Sequence, residues 1–212
     1  MELVSINVGK QRAIEHAKAS GVTGIYKTPQ TEGVAIGLYG VDGDFIADTD
    51  NHGGVDQAVY VFGTPDYAWW SQKLGQELAP GTFGDNMTIS DLVSADLLIG
   101  DRLQVGAVVL EVTSPRIPCV TINVRMGDPQ FVKKFRYAEK PGVYCRVITP
   151  GTVYAGDAVT LIPYTGEAVT ILEGFRKTYE RGWTEPEIRR YLSVPIAIRW
   201  RTFFEDELAG LS

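Results

Sequence analysis

Cys119 and Arg116 stand three residues apart in the run Ser114-Pro115-Arg116-Ile117-Pro118-Cys119. Each proline disfavours helical geometry at the residue before it, here Ser114 and Ile117. The run is therefore stiff and extended. It follows a predicted strand in which Val108, Leu110 and Val112 alternate with Val109 and Glu111. After it, Val120–Met126 reads as the start of a helix or a tight return. A thiol near a helix N-terminus and close to a guanidinium has two reasons for a lowered pKa. The thiolate is the form that attacks or ligates metal. The competing reading is a small buried apolar side chain. Cys145, within the alternating Tyr144-Cys145-Arg146-Val147-Ile148, fits that second reading and is expected in the core.

Two further stretches carry candidate chemistry. The first is His52-Gly53-Gly54-Val55-Asp56-Gln57-Ala58. Its histidine is a proton carrier at neutral pH, or a loop residue satisfied by backbone. The paired glycines suit a tight turn or a ligand close to backbone, and Asp56 is expected to hold the loop. The second is Gly81-Thr82-Phe83-Gly84-Asp85-Asn86. Here Asp85 and Asn86 either line a site or bond the turn to itself. Asn123, four residues after Cys119, shares its face if the segment is helical.

The patterns HGGxDxA at 52–58, FGDN at 83–86 and PRxPC at 115–119, in this order and spacing, resemble the MOSC family, the molybdenum cofactor sulfurase C-terminal domains. The resemblance is to its YiiM-type bacterial branch. It runs to about residue 163, and more loosely to the end. It implies a β-barrel and a molybdenum cofactor (molybdopterin) with Cys119 as the protein's metal ligand. For sulfurase-type members it implies instead a persulfide on Cys119. Arg116 would meet the cofactor's phosphate or pterin edge, and Asp85, Asn86 and Asn123 would line the site. Thr121 departs from the lysine that relatives often carry there, with Arg125 as a substitute. The YiiM-type branch implies reduction of N-hydroxylated compounds such as hydroxylaminopurines, with His52 as the proton donor. A sulfur carrier and a non-catalytic cofactor-binding or delivery module are the alternatives. The chain carries no flavin, nicotinamide or iron–sulfur fingerprint, so reduction calls for an external electron carrier. His16 has no motif around it.

These segments need a scaffold. Many short alternating runs broken by glycine turns predict a closed or nearly closed barrel, in agreement with the resemblance. The expected fold is mainly β with helices: a MOSC-type closed β-barrel over residues 1–163, then a small three-helix segment over 164–212. Its helices are expected at 169–181, after a Thr184 cap, and at 195–208. A helix from Thr64 places Tyr67, Trp70, Leu74 and Leu78 on one packing face. The C-terminal helices carry Arg176, Lys177, Arg181, Arg189, Arg190, Arg199 and Arg201, either a solvated surface or a face that steers an acidic electron carrier.

Composition bounds the rest. A chain of 212 residues with 44% hydrophobic content supports a substantial core. A formal net charge of -6 argues against a nucleic acid polymer as partner; a small-molecule substrate is what the resemblance implies. Two cysteines in a chain of this size fit a reducing compartment. No apolar run approaches the ~20 residues of a membrane span, so no membrane association is expected and the expected location is the cytoplasm.

Overall fold

The computed structural model describes residues 1–15, 21–49, 52–180 and 182–211. His16 and Arg181 lie outside the described residues. The strands are β1 (Leu3–Gly9), β2 (Arg12–Ala13), β3 (Val22–Thr23), β4 (Lys27–Pro29), β5 (Val34–Gly37), β6 (Gly40–Val41), β7 (Val59–Gly63), β8 (Met87–Ile89), β9 (Arg102–Val105), β10 (Val108–Pro115), β11 (Val143–Thr149), β12 (Gly151–Val153) and β13 (Val159–Ile162). The α-helices are α1 (Thr64–Leu74), α2 (Val120–Met126), α3 (Phe131–Ala138), α4 (Ile171–Lys177), α5 (Glu185–Leu192) and α6 (Ile198–Gly210).

The expected closed barrel is not what forms. The main sheet is eight-stranded and open, in the order β13-β9-β10-β11-β7-β8-β1-β4. Closure would need a ladder between the edges β4 and β13, and none is present among the described residues. One bridge, Glu2 to Ala158, ties the chain start to the β13 edge. β1 pairs with β8 through Leu3–Ile6 and with β4 through Asn7–Gly9, and toward the β13 edge only Met1 and Leu3, among the described residues, share backbone hydrogen bonds, with Val159, Asp157 and Gly156. The strand pairs are antiparallel except β7 with β8. A separate three-stranded sheet, β12-β5-β6, packs beside the main one. The described residues hold six α-helices rather than three, half of them before residue 163. The fold is a mixed sheet with helices.

Alternation in β1 predicts one buried face, yet Ser5 and Asn7 are buried as well as Ile6 and Val8. Their polar atoms bond one another: Ser5 Oγ donates to Asn7 Oδ1 at 2.6 Å. Asn7 Nδ2 donates to the Asp85 carbonyl at 3.2 Å. Burial of polar groups is tolerated because they are paired.

Two apolar clusters hold the molecule. One joins sheet residues such as Ile6, Val61, Leu103 and Val112 to Val169, Ile171, Ile188, Tyr191 and Phe204 of the C-terminal helices. The other is aromatic: Phe62, Tyr67, Trp70, Phe83, Phe131 and Phe135. Trp70 stacks on Phe135 with ring centroids 5.8 Å apart. The α1 aromatics are thus packing groups, as their spacing predicts, and they brace the loop that carries Phe83 and Asp85.

Candidate functional site

β10 ends at Pro115, and the extended run after it delivers Arg116 and Cys119 to one cleft. Cys119 is the N-cap of α2, with extended backbone at φ −117 and ψ 171. Pro118 enforces the non-helical approach, so α2 begins only after the thiol. The cleft also receives His52 and Gln57 from the loop before β7, Lys27 from β4, Asp44, Tyr60 from β7, Asn86, Thr121 and Tyr144 from β11. Its free space, open mouth included, is about 740 Å³.

Burial alone would push the Cys119 thiol up. Hydrogen bonds from the His52 and Thr121 side chains, and the charge of Arg116, outweigh it and bring the thiol down to about 6. The group is therefore thiolate at neutral pH. Cys145 has no such company. It is fully buried, and burial, with help from Glu111, pushes its thiol up.

His52 is held on its far side by Asp48, whose Oδ2 lies 3.6 Å from Nδ1. The His52 N–H also donates to the Asp48 carbonyl at 2.9 Å. Gly53 and Gly54 both adopt left-handed backbone, at φ 75 and φ 77. A Cβ on Gly53 would come within 2.8 Å of Ile46, so the turn that presents His52 needs glycine there.

Arg116 is 5% exposed. Its guanidinium carbon lies 5.2 Å from the Tyr60 ring centre and 5.5 Å from that of Phe135. Burial works against its charge, while Tyr60, Tyr144 and Cys119 hold its pKa up. Its Nη1 is buried with no hydrogen-bond partner among the described residues. Gln57 Oε1 is likewise buried and without a partner among them.

A second cation, Lys27, was not singled out by its sequence context. It is 8% exposed and pairs with Asp44. Burial lowers its pKa despite that pairing. Asn86 Nδ2 donates to Asp44 Oδ2 at 2.9 Å, and Asn86 Oδ1 accepts from the Tyr60 N–H at 3.2 Å. Asn86 therefore both lines the cleft and fixes its acid. The one sequence signal for Lys27 is a lone cation closing the apolar stretch Gly24-Ile25-Tyr26.

Two expected site residues lie elsewhere. Asp85 is fully buried beneath the cleft. It accepts from Tyr67 Oη at 2.5 Å and Thr88 Oγ1 at 2.7 Å, and burial pushes its carboxyl up. Its oxygens are engaged in holding the loop between α1 and β8. Asn123 turns away from Cys119: its Nδ2 donates to the Pro129 carbonyl at 3.0 Å, and its Oδ1 accepts from the Val132 N–H at 2.7 Å. It joins α2 to α3; Cys119 is the extended N-cap and not a helical residue, so the shared face of positions i and i+4 does not apply to the pair. Arg125, the expected substitute for a lysine at 121, instead donates to the Thr82 carbonyl at 3.2 Å and lies over Tyr26.

Asp56 anchors the His52 loop from outside the cleft. Its Oδ1 pairs with Arg146 Nε at 2.8 Å, and its Oδ2 accepts from the Ile198 N–H at 2.6 Å. Thr113 Oγ1 donates to the Asp56 carbonyl at 2.7 Å. Arg146 in turn donates to the carbonyls of Pro195 and Ile196, at 3.2 and 3.0 Å. The start of α6 thus grips the loop that presents His52.

Among the described residues no group of three or more His, Cys, Asp or Glu is arranged to hold a metal. No described helix is long and apolar enough to cross a membrane.

The MOSC domain profile matches residues 48–160 of the chain. YflK of Bacillus subtilis is 30% identical over 203 residues, spanning 95% of this chain and 92% of YflK. A protein named Reductase from Gibberella moniliformis is 31% identical over 146 residues, which are 66% of this chain and 26% of that protein. The crystal structure of YiiM from Geobacillus stearothermophilus superposes with a TM-score of 0.79 at 26% identity, over 98% of both chains.

Proposed function

The chain belongs to the MOSC domain family, and from that premise we propose that it is a molybdenum-cofactor protein that reduces N-hydroxylated compounds of the hydroxylaminopurine type. The observation that carries this reading is the Cys119 thiolate, held near pKa 6 inside a cleft with a proton carrier and a buried cation. A soft thiolate is the donor that suits molybdenum already held by dithiolene sulfur, so a single protein ligand suffices. The cleft's other groups fit such a cofactor. The unpartnered Arg116 Nη1 is a ready donor to a phosphate or pterin edge. Lys27 adds a second cation beside it in the cleft.

When bound, the cofactor supplies the two-electron centre. The overall reaction is R–NHOH + 2 e⁻ + 2 H⁺ → R–NH₂ + H₂O, in which the N–O bond breaks and the oxygen leaves as water. The residues handle position and protons. Cys119 Sγ would hold the metal. His52, with Nδ1 facing Asp48 and its side chain bonded to the Cys119 sulfur, would deliver a proton to the leaving oxygen beside that sulfur. Arg116 and Lys27 would hold the anionic part of the cofactor. Tyr60 and Tyr144 wall the cleft. The electrons come from an external carrier.

The same acidic thiol would suit a persulfide carrier, with the sulfane sulfur on Cys119 Sγ. Metal analysis separates the two. Protein made in a host that synthesises the cofactor should carry about one molybdenum per chain, and Cys119→Ser should lose it while melting within about 1 kcal/mol of the parent. Sulfane sulfur without molybdenum on the parent would replace the reductase reading with the carrier.

A further inference from the structure

The Gln57 side chain has no role in the chemistry above, yet Gln57 lines the same cleft and its Oε1 is buried without a partner among the described residues. An acceptor in that state is unfavourable unless something donates to it. Gln57 is held firmly. It ends a short 3-10 turn, Val55–Gln57, and its N–H donates to the Gly54 carbonyl at 3.1 Å. Asp56, next to it, is clamped to Arg146 and to the start of α6. The chain after it runs directly into β7, whose residues are buried throughout. The side chain therefore has a fixed base from which to address a ligand.

Arg116 Nη1, also buried and without a partner among the described residues, is the donor assigned above to the cofactor, which leaves Gln57 Oε1 for the substrate. An unpaired acceptor matches a ligand that presents an N–H, as an exocyclic amino group does. In an N-hydroxylated aminoheterocycle the exocyclic nitrogen keeps an N–H before and after reduction, as R–NHOH and as R–NH₂. One acceptor can hold substrate and product alike.

We propose that Gln57 is a specificity-determining residue, whose Oε1 accepts a hydrogen bond from the exocyclic N–H of an aminoheterocyclic substrate. The assignment rests on the reading of the cleft given above. It makes the site selective for compounds that retain that N–H. It disfavours analogues that put oxygen or an alkylated nitrogen there, because they leave Oε1 buried and unpaired.

The test is a binding experiment on full-length protein made in a host that supplies the cofactor, with no reductant present. The probes are 6-hydroxylaminopurine and 6-methoxypurine, which share an outline but differ in the N–H. Calorimetry should give the parent a preference of about tenfold or more for the hydroxylamino compound. Gln57→Met, which keeps length and removes the acceptor, should erase that preference. Gln57→Glu, which keeps an acceptor, should retain it. Loss in Met with retention in Glu separates recognition from mere loss of folding. The proposal is overturned if the parent shows no preference between the probes, or if the preference survives in Gln57→Met. Turnover with reductant is scored separately: a chain that prefers the N–H probe but does not reduce it would sink the reductase reading and leave the role of Gln57 standing.

Discussion

Cys119 and Cys145 are chemically opposite because of what surrounds each sulfur. Iodoacetamide should modify Cys119 in the metal-free chain, and its rate should fall as pH is lowered through about 6. The sign follows from the depressed pKa: the reactive thiolate persists above that value and takes up a proton below it. Thr121→Val removes one hydrogen bond to the sulfur and should move the midpoint upward; a midpoint that stays put would exclude Thr121 as a stabiliser. Cys145→Ser should leave alkylation unchanged and cost about 1–3 kcal/mol in a thermal or urea melt, because it places a hydroxyl in the core. Cys119, Arg116, His52 and Asn86 were legible in the sequence because each lies in a compact local pattern. Lys27 and Asp44 were not. Their pairing is created when β4 lies alongside β1, which short-range pattern cannot reveal. For Asp85 the sequence left a choice between lining the site and bonding its own turn; Tyr67 and Thr88, brought in from α1 and β8, hold it in the interior.

At the scale of elements, the strand-to-helix step at Pro115 through Val120 and the loop before β7 position the cleft. The sequence offered Val120–Met126 as the start of a helix or a tight return; the helix is what forms, and Gly127, at φ 63, ends it. It did not reveal the link between α6 and the His52 loop, since a hydrogen bond to a backbone N–H leaves no trace in composition. Asp56→Ala should lower stability by about 1–2 kcal/mol. More tellingly, it should speed amide exchange across residues 52–58, measured by mass spectrometry. Exchange unchanged there would mean that the loop is held by its own turn and not by α6. The open sheet has a similar origin. Glycine turns and short runs announce strands, but whether the last strand meets the first depends on pairing across the whole chain, and here that contact stops at the Glu2–Ala158 bridge and the hydrogen bonds of Leu3.

The molecule as a whole shares one apolar cluster between its sheet and its C-terminal helices. A chain ending at residue 163 would expose the sheet surface that Val169, Ile171, Ile188 and Phe204 cover. It should melt well below the parent or aggregate, as calorimetry and gel filtration would show; a fragment that is monomeric and equally stable would show that the helices are dispensable. The basic residues of those helices are largely paired: Arg176 with Glu139, Lys177 with Glu187, Arg189 with Glu185, and Arg190 with Glu173. Exposed pairs of this kind contribute little to stability, and they cancel much of the field that would draw an acidic carrier to this face. The bond from the Ile198 N–H to Asp56 spans 142 positions of sequence. Synthesis on the ribosome runs from the first residue to the last, so the thiol and its arginine emerge long before the His52 loop gains its anchor. A nascent chain stalled short of α6 has Cys119 without the anchor of the His52 loop. On the proposed function, loading of the cofactor would therefore follow release of the polypeptide, and a chain translated without its last helix would stay empty.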